Sequence, residues 1–328
     1  LPMPLRALTA RPLPAGRVLV VGAAVLDRIF YVPRLPVAGE TAVGDRMEVH
    51  PGGKGANQAF AARRMGADVR FLTGVGDDEA ADFVLAPLAE AGVDLEGVAR
   101  IKGVPTAEAI VAVDRRGENQ IVACAGAYHR FSAAMLRERE DRFEWADWLL
   151  VQNELPRAVV DTALELARRH HCRILFNPAP FKAKMTPPPP GLDLLVPNEI
   201  EAAGLLGVED YLATSPHERV KRWREIAAEN VVVTLGRRGG EWFPAGGGVV
   251  EFAAYPVEVV DSVGAGDAFC GILAALLAEG MELEPAVRAA HAGAALSAGV
   301  RGAQEGLPTR ETLLAFLEEN WTGESTEP

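Results

Sequence analysis

The sequence predicts an α/β fold: a doubly wound, mainly parallel sheet with helices on both faces and a small β-sheet lid. Three observations carry this. Short, continuously apolar runs alternate with amphipathic helical patterns along most of the 328 residues, as expected of strands buried on both faces. Two stretches, 29–50 and 106–127, break that rhythm with β-branched and turn residues. Four loops bearing glycine or asparagine follow apolar runs, where open parallel sheets bind ligands.

In chain order, Val18, Leu19, Val20 and Val21 form the first core strand and stop at Gly22. A helical stretch beginning near Ala56 leads to the apolar run 69–72, and the run 148–151 precedes a helix over 158–170. The runs 174–176, 194–196 and 231–235 continue the series. The stretch 106–127 alternates and turns at Asp114, Arg115, Arg116 and Gly117, the pattern of a hairpin. The expected organisation is a core over 16–27, 51–103 and 128–320, a β lid over 28–50 and 104–127, and poorly ordered tails at 1–15 and 321–328. Ordinary connecting loops are the alternative for the lid. The run Pro187, Pro188, Pro189, Pro190 reads as an exposed, stiff, non-helical connector.

Hydrophobic residues make up 49% and charged residues 24%, a globular composition, and the net charge is −12. That charge argues against a nucleic-acid partner and gives no electrostatic help toward an anionic membrane. No apolar run approaches the ~18 residues of a membrane span. Cys124, Cys172 and Cys270 are far apart and without a C-x-x-C pair. They read as small buried apolar residues in a reduced, cytoplasmic setting.

The segment Asp261, Ser262, Val263, Gly264, Ala265, Gly266, Asp267 is the most informative. It follows a β-branched run, 257–260, that reads as a strand. It opens a helix with Ala268, Phe269, Ile272, Leu273, Leu276 and Leu277 on one stripe. Glycines let backbone approach an anion, and the free N–H groups of a helix start point at it. A carboxylate at Asp267 would repel phosphate, but it suits proton removal from an attacking hydroxyl; the plainer alternative is a helix cap. The third position of a dinucleotide fingerprint holds Phe269, and no Walker A motif occurs.

Three further segments are weaker alone. Gly52, Gly53, Lys54, Gly55, Ala56 and Asn57 offer backbone and side-chain donors for hydroxyl oxygens, or form a ligand-free turn. Thr234, Gly236, Arg237 and Gly239 end the most apolar strand and suit a phosphate, or simply turn into an antiparallel strand at 241–243. Asn198 with Glu199 or Glu201 offers oxygen ligands for hydrated Mg2+, or a helix cap with acids in its first turn. Glu154 ends another strand, from which it could reach the same crevice.

Together these segments resemble the ribokinase-like (PfkB) sugar kinase family over about 18–308. The runs G-G-K-G-A-N-Q-A at 52–59 and D-S-V-G-A-G-D-A-F at 261–269 resemble its two signatures, and N-P-A-P at 177–180, P-N-E at 197–199, T-L-G-x-R-G at 234–239 and G-A-Q at 302–304 agree further. The resemblance implies an ATP-dependent kinase acting on a sugar hydroxyl, with ribose as the expected acceptor. It implies Asp267 as base and the amides of Gly264, Ala265 and Gly266 as an anion hole. Asp27, Gly52, Gly53, Lys54, Asn57 and Glu154 would bind sugar. Thr234, Gly236, Gly239 and His291 would line the ATP site, with Asn198 and Glu201 near phosphate and Mg2+. An activating monovalent cation such as K+ would lie on Asp261, Val263, Ser297, Val300 and Gly302. The lid would also make a homodimer contact. The chain departs from the family at Val25, where an Asn is usual, at Tyr128 in Ala125-Gly126-Ala127-Tyr128, at Gly306, where a Ser often helps hold the cation, and at Arg237, where a small residue is usual. A different sugar, a ketosugar acid or a nucleoside is therefore the alternative acceptor. A catalytically silent sugar- or nucleotide-binding regulator is the alternative of another class.

Overall fold

Eight strands form the central sheet of the computed structural model, in the order Val250–Phe252, Gly240–Pro244, Ala228–Thr234, Leu192–Leu195, Arg173–Asn177, Trp148–Gln152, Arg17–Val21, Asp68–Leu72. The structure describes residues 15–182, 187–226 and 228–320. Six of these strands run parallel, and the outer two, Gly240–Pro244 and Val250–Phe252, pair antiparallel. Alternation along each strand divides the core in two. Val18, Val20, Leu150 and Leu175 pack under helices Lys54–Arg64, Ala265–Ala278 and Leu283–Ala298. Leu19, Val21, Leu149 and Phe176 face helices Arg157–Arg169, Glu199–Leu206 and Pro216–Glu225. The fold is the doubly wound one the alternating runs predict, because strands that are apolar on both faces need helices on both.

A separate sheet of four strands has the order Arg46–Gly52, Val25–Tyr31, Ala107–Val113, Asn119–Cys124. Its last two strands form the hairpin expected around Asp114–Gly117, closed by Asp114 N–H to Glu118 O at 3.0 Å. Val25, Leu26 and Asp27 lie on one of its strands, and Pro51 and Gly52 on another. Asp27 and Gly52 therefore belong to the small sheet as well as to the cleft beneath it.

Three local expectations fail. Residues 257–260 are not a strand: the N–H groups of Val260 and Asp261 bond Ala298 O at 2.9 and 3.1 Å. The β-branched run is tied to the end of a helix instead of a neighbouring strand. Pro188 and Pro189 are buried, so that run is non-helical but packed, since proline rings gain by leaving water as other apolar groups do. Cys124 is exposed, because it sits on the outermost strand of the small sheet, while Cys172 and Cys270 are buried as expected. The tails, apart from residue 15, lie outside the described residues. No helix among the described residues is long and apolar enough to cross a membrane.

Candidate active site

The carboxyl ends of the parallel strands meet the small sheet in one cleft, and the glycine loops line it. Gly264, at φ +80°, turns the chain into helix Ala265–Ala278. A Cβ there would lie 2.9 Å from Ala303 Cα, so both backbone angle and space demand glycine. A Cβ on Gly266 would meet nothing within 4 Å. Open space thus lies ahead of the helix's first N–H groups, which have no intrahelical acceptor.

Asp267 stands two residues into that helix and does not cap it; Gly264 holds that position. Its carboxylate is buried and accepts from Asn57 Nδ2 at 3.1 Å and from Gln58 Nε2 at 2.9 Å. Gln58 Nε2 also lies 3.2 Å from Asn177 Oδ1, and Gln58 Oε1 accepts from Gln152 Nε2 at 2.6 Å. Gln304 Nε2 donates to Asn57 Oδ1 at 3.0 Å. The resulting side-chain network bridges the two glycine signatures, 209 and 210 residues apart in sequence.

Charge surrounds the network. The proximity of Asp267, ahead of Glu154 and Glu201, raises the pKa of the Lys54 ammonium against the opposing effect of burial. Lys54 N–H donates to Glu154 Oε2 at 3.0 Å. Burial, offset in part by Lys54, pushes Glu154 up to about 7. Burial likewise raises Asp27 to about 6, with His50 pulling it down and Asp267 pushing it up. Gly53, at φ +90°, lets the chain pass close to Ala23 O, and a Cβ on Gly52 would overlap Asp27 Oδ2. Asp27, Gly52, Gly53, Lys54, Asn57, Glu154 and Asp267 are therefore brought to one place.

Beside them opens a cavity of about 510 Å³, lined by Thr234, Gly236, Arg237, Gly239, Gly266 and His291 among others. The 234–239 loop is the turn into an antiparallel strand that its plainer reading expects, and it also walls the cavity. His291 is buried against Phe252 and Phe269, with ring centroids 5.8 and 4.8 Å away. Burial, then Arg288, lowers its pKa to about 4, so the imidazole is neutral. Ala294, Ala295 and Ala298 give the cavity an apolar wall of small side chains.

Asn198 and Glu201 do not line that cavity. They form a reciprocal capping box, with Asn198 Oδ1 and Glu201 Oε2 each accepting the other's N–H at 2.9 Å. Glu201 is nonetheless buried, which raises its pKa, and it feels Lys54 and Asp267. Asp261 accepts from Val263 N at 3.0 Å and Gly302 N at 3.1 Å, bracketing the two loops named for the cation. Ser297 is fully buried and its Oγ has no hydrogen-bond partner, whereas the Val263 and Val300 side chains are exposed.

Sequence reasoning missed Gln58, Gln152, Asn177 and Gln304 as site residues. Gln58, Asn177 and Gln304 lie inside the motifs at 52–59, 177–180 and 302–304, and Gln152 is a neutral amide at a strand end; none carries a local signal of its partners.

The pattern of the pfkB family of carbohydrate kinases matches residues 15–310. The chain belongs to this family. Among its pfkB-family relatives, ribokinase of Haemophilus influenzae is 32% identical over 299 residues, 91% of this chain and 97% of that protein. Ribokinase of Bacillus subtilis is 34% identical over 303 residues, 92% and 99% of the two chains. In three dimensions, the structure of Arabidopsis thaliana ribokinase complexed with ribose and ATP aligns with a TM-score of 0.83 at 27% identity, covering 93% of this chain and 99% of that one. As a member of this family the chain is a carbohydrate kinase.

Proposed function

We propose that this pfkB-family protein is an ATP-dependent ribose kinase that makes ribose 5-phosphate, with Asp267 as base. The observation that carries the reading is the Asp267 carboxylate. It sits just inside the helix that opens the Gly264–Gly266 cradle and is hydrogen-bonded to Asn57 and Gln58 of the other glycine signature. Asp267 takes the proton of the 5-hydroxyl as its oxygen bonds to the γ-phosphorus and the bond to ADP breaks. The amides after Gly264 stabilise charge on the transferring group. Asp27, Lys54, Asn57 and Glu154 hold the other hydroxyls, and the small sheet excludes water, which would compete as acceptor. Thr234, Gly236, Arg237, Gly239 and His291 form the ATP site.

Among the described residues no three His, Cys, Asp or Glu side chains gather to hold an ion. Mg2+, which keeps several waters, would be held chiefly by phosphates, with Glu201, a buried acid that feels Lys54 and Asp267, and Asn198 beside it as its protein groups. When bound it supplies positive charge opposite the phosphates. The unpartnered, buried Ser297 Oγ fits a K+ site completed by Asp261, Val263, Val300 and Gly302. The small sheet also supports a homodimer: Ile110, Ile121 and Val122 are exposed on it, beside the outer edge of strand Asn119–Cys124. Light scattering should give a dimer mass for the wild-type chain and a monomer mass for Val122→Glu; a wild-type monomer at micromolar concentration refutes this part.

The deciding experiment is a coupled assay of ADP release with ribose and a panel of sugars, ketosugar acids and nucleosides. Ribose should give the highest kcat/KM. Val25 and Tyr128 favour the second reading, a pfkB-family kinase for another acceptor, and a better substrate in that panel would establish it. Asp267→Asn should lose on the order of 10²–10⁴ in turnover with ATP binding retained; near wild-type turnover would sink the assignment.

A further inference from the structure

Four consecutive residues on the loop after helix Leu283–Ala298 reach four different parts of the cleft. Gly302 N–H donates to Asp261 Oδ2 at 3.1 Å. Ala303 Cα packs where a Gly264 Cβ would stand. Gln304 Nε2 donates to Asn57 Oδ1 at 3.0 Å. Glu305 Oε1 lies 2.9 Å from His50 Nδ1 on the small sheet.

We infer that Gln304 is a positioning residue for phosphoryl transfer: it fixes which end of the Asn57 amide faces Asp267. The inference rests on Asp267 being the base. A carboxylate only accepts, so Asp267 needs Asn57 Nδ2 and not Oδ1. An isolated amide could turn over and set oxygen against oxygen. Gln304 blocks this, because its Nε2 requires Asn57 Oδ1 on the far side. Gln304 and Asn57 are 3% and 5% exposed, so water does not replace a lost partner. Asn57 keeps one N–H and one lone pair for a sugar hydroxyl. Gln304 Oε1 is itself buried without a partner, so the loop holds the amide by its donor end alone.

The test is Gln304→Glu and Gln304→Met in the full chain, assayed with ribose and ATP across pH. The groups facing Asp267 are Lys54, Glu154, Glu201, Asp27 and the Cys270 thiol, with His50 and Glu305 beside the loop; all stay unchanged in the variants. In Gln304→Glu, the introduced side chain accepts when ionised, so it draws Nδ2 away and turns Asn57 Oδ1 onto Asp267. When protonated, the same carboxyl donates as glutamine does. Gln304→Glu should therefore lose roughly 10- to 100-fold in kcat at pH 8, the size expected of a lost buried hydrogen bond. It should recover on acidification toward pH 6, measured relative to the wild type at the same pH. Gln304→Met should show a similar loss in kcat, little change in KM for ATP, and an acid limb moved to higher pH. A Gln304→Glu profile parallel to wild type overturns the inference. If the charged variant does not fold, an unmoved acid limb in Gln304→Met overturns it. Asp267→Asn separates the two levels: if it is inactive while both Gln304 variants behave as wild type, only the role of Gln304 fails.

Discussion

The two halves of the cleft are built from opposite materials. The half under the small sheet is made of polar side chains: Asp27, Lys54, Asn57, Glu154 and Asp267, with Asp267 tied into a network of buried amides from three elements, helix Lys54–Arg64 and strands Trp148–Gln152 and Arg173–Asn177. The half beside the 234–239 loop is made mostly of glycine backbone and apolar side chains: three glycines, five alanines, Tyr255, Phe269 and a neutral histidine, with Arg237 at its wall, around about 510 Å³. A sugar offers many hydroxyls of fixed direction, which need charged and amide partners at set angles. A nucleotide offers a flat base, which needs a slot, and phosphates, which need N–H groups and positive charge. The contrast matches the two substrates of one reaction.

Two glycine substitutions should separate the halves, the larger effect first. A methyl on Gly266 enters space that no protein atom occupies, so Gly266→Ala fits the fold, and alanine improves the helix. Its melting temperature should hold or rise while kcat/KM for ATP falls on the order of 10²-fold, because the methyl enters the space of the proposed phosphoryl site. A methyl on Gly52 collides with the Asp27 carboxylate. Overpacking of about 1–3 kcal/mol converts to roughly 10- to 100-fold in sugar KM, with ATP KM within about twofold and a lowered melting temperature. Calorimetry beside two-substrate kinetics reads both. If Gly266→Ala unfolds the chain, or Gly52→Ala harms ATP and sugar equally, the division into two halves is wrong.

The same division explains what the sequence told. Backbone-built parts were legible, since glycine at a helix start has few explanations: Gly264, Gly266, Gly236 and Gly239 were found from spacing. The two-faced sheet was legible because uninterrupted apolar runs leave no wet face. The amide network was not. Gln152 and Asn177 are uncharged, end different strands, and gain meaning only once Gln58 lies between them. Asp27 needed a resemblance to be singled out, because its role depends on a sheet register that sets it opposite His50 and beside Gly52. The 257–260 run misled because strand propensity is local while a strand needs a neighbour.

Asp27 gives the mildest and most diagnostic test, because acid should act on it in two opposite directions. Its pKa is raised to about 6, first by burial, and His50 opposes the shift. Accepting a sugar hydroxyl in a charge-assisted bond requires the ionised form. Sugar KM should be flat above about pH 7 and rise toward tenfold per pH unit well below 6, while ATP KM stays nearly level. Stability runs the other way at this group. Its folded pKa lies above the ordinary carboxylate value of 3.8, so the folded chain binds more protons between those two pH values. Its contribution to stability therefore improves as pH falls through about 6, and Glu154, raised to about 7, acts in the same sense. Loss of sugar affinity near pH 5.5 without a lowered melting temperature is the expected pair of results. His50→Gln should move the KM inflection upward, since it removes the charge that pulls Asp27 down. An inflection that stays put in His50→Gln, or that tracks thermal unfolding, would mean that acid acts on the fold and not on the sugar-side carboxylate.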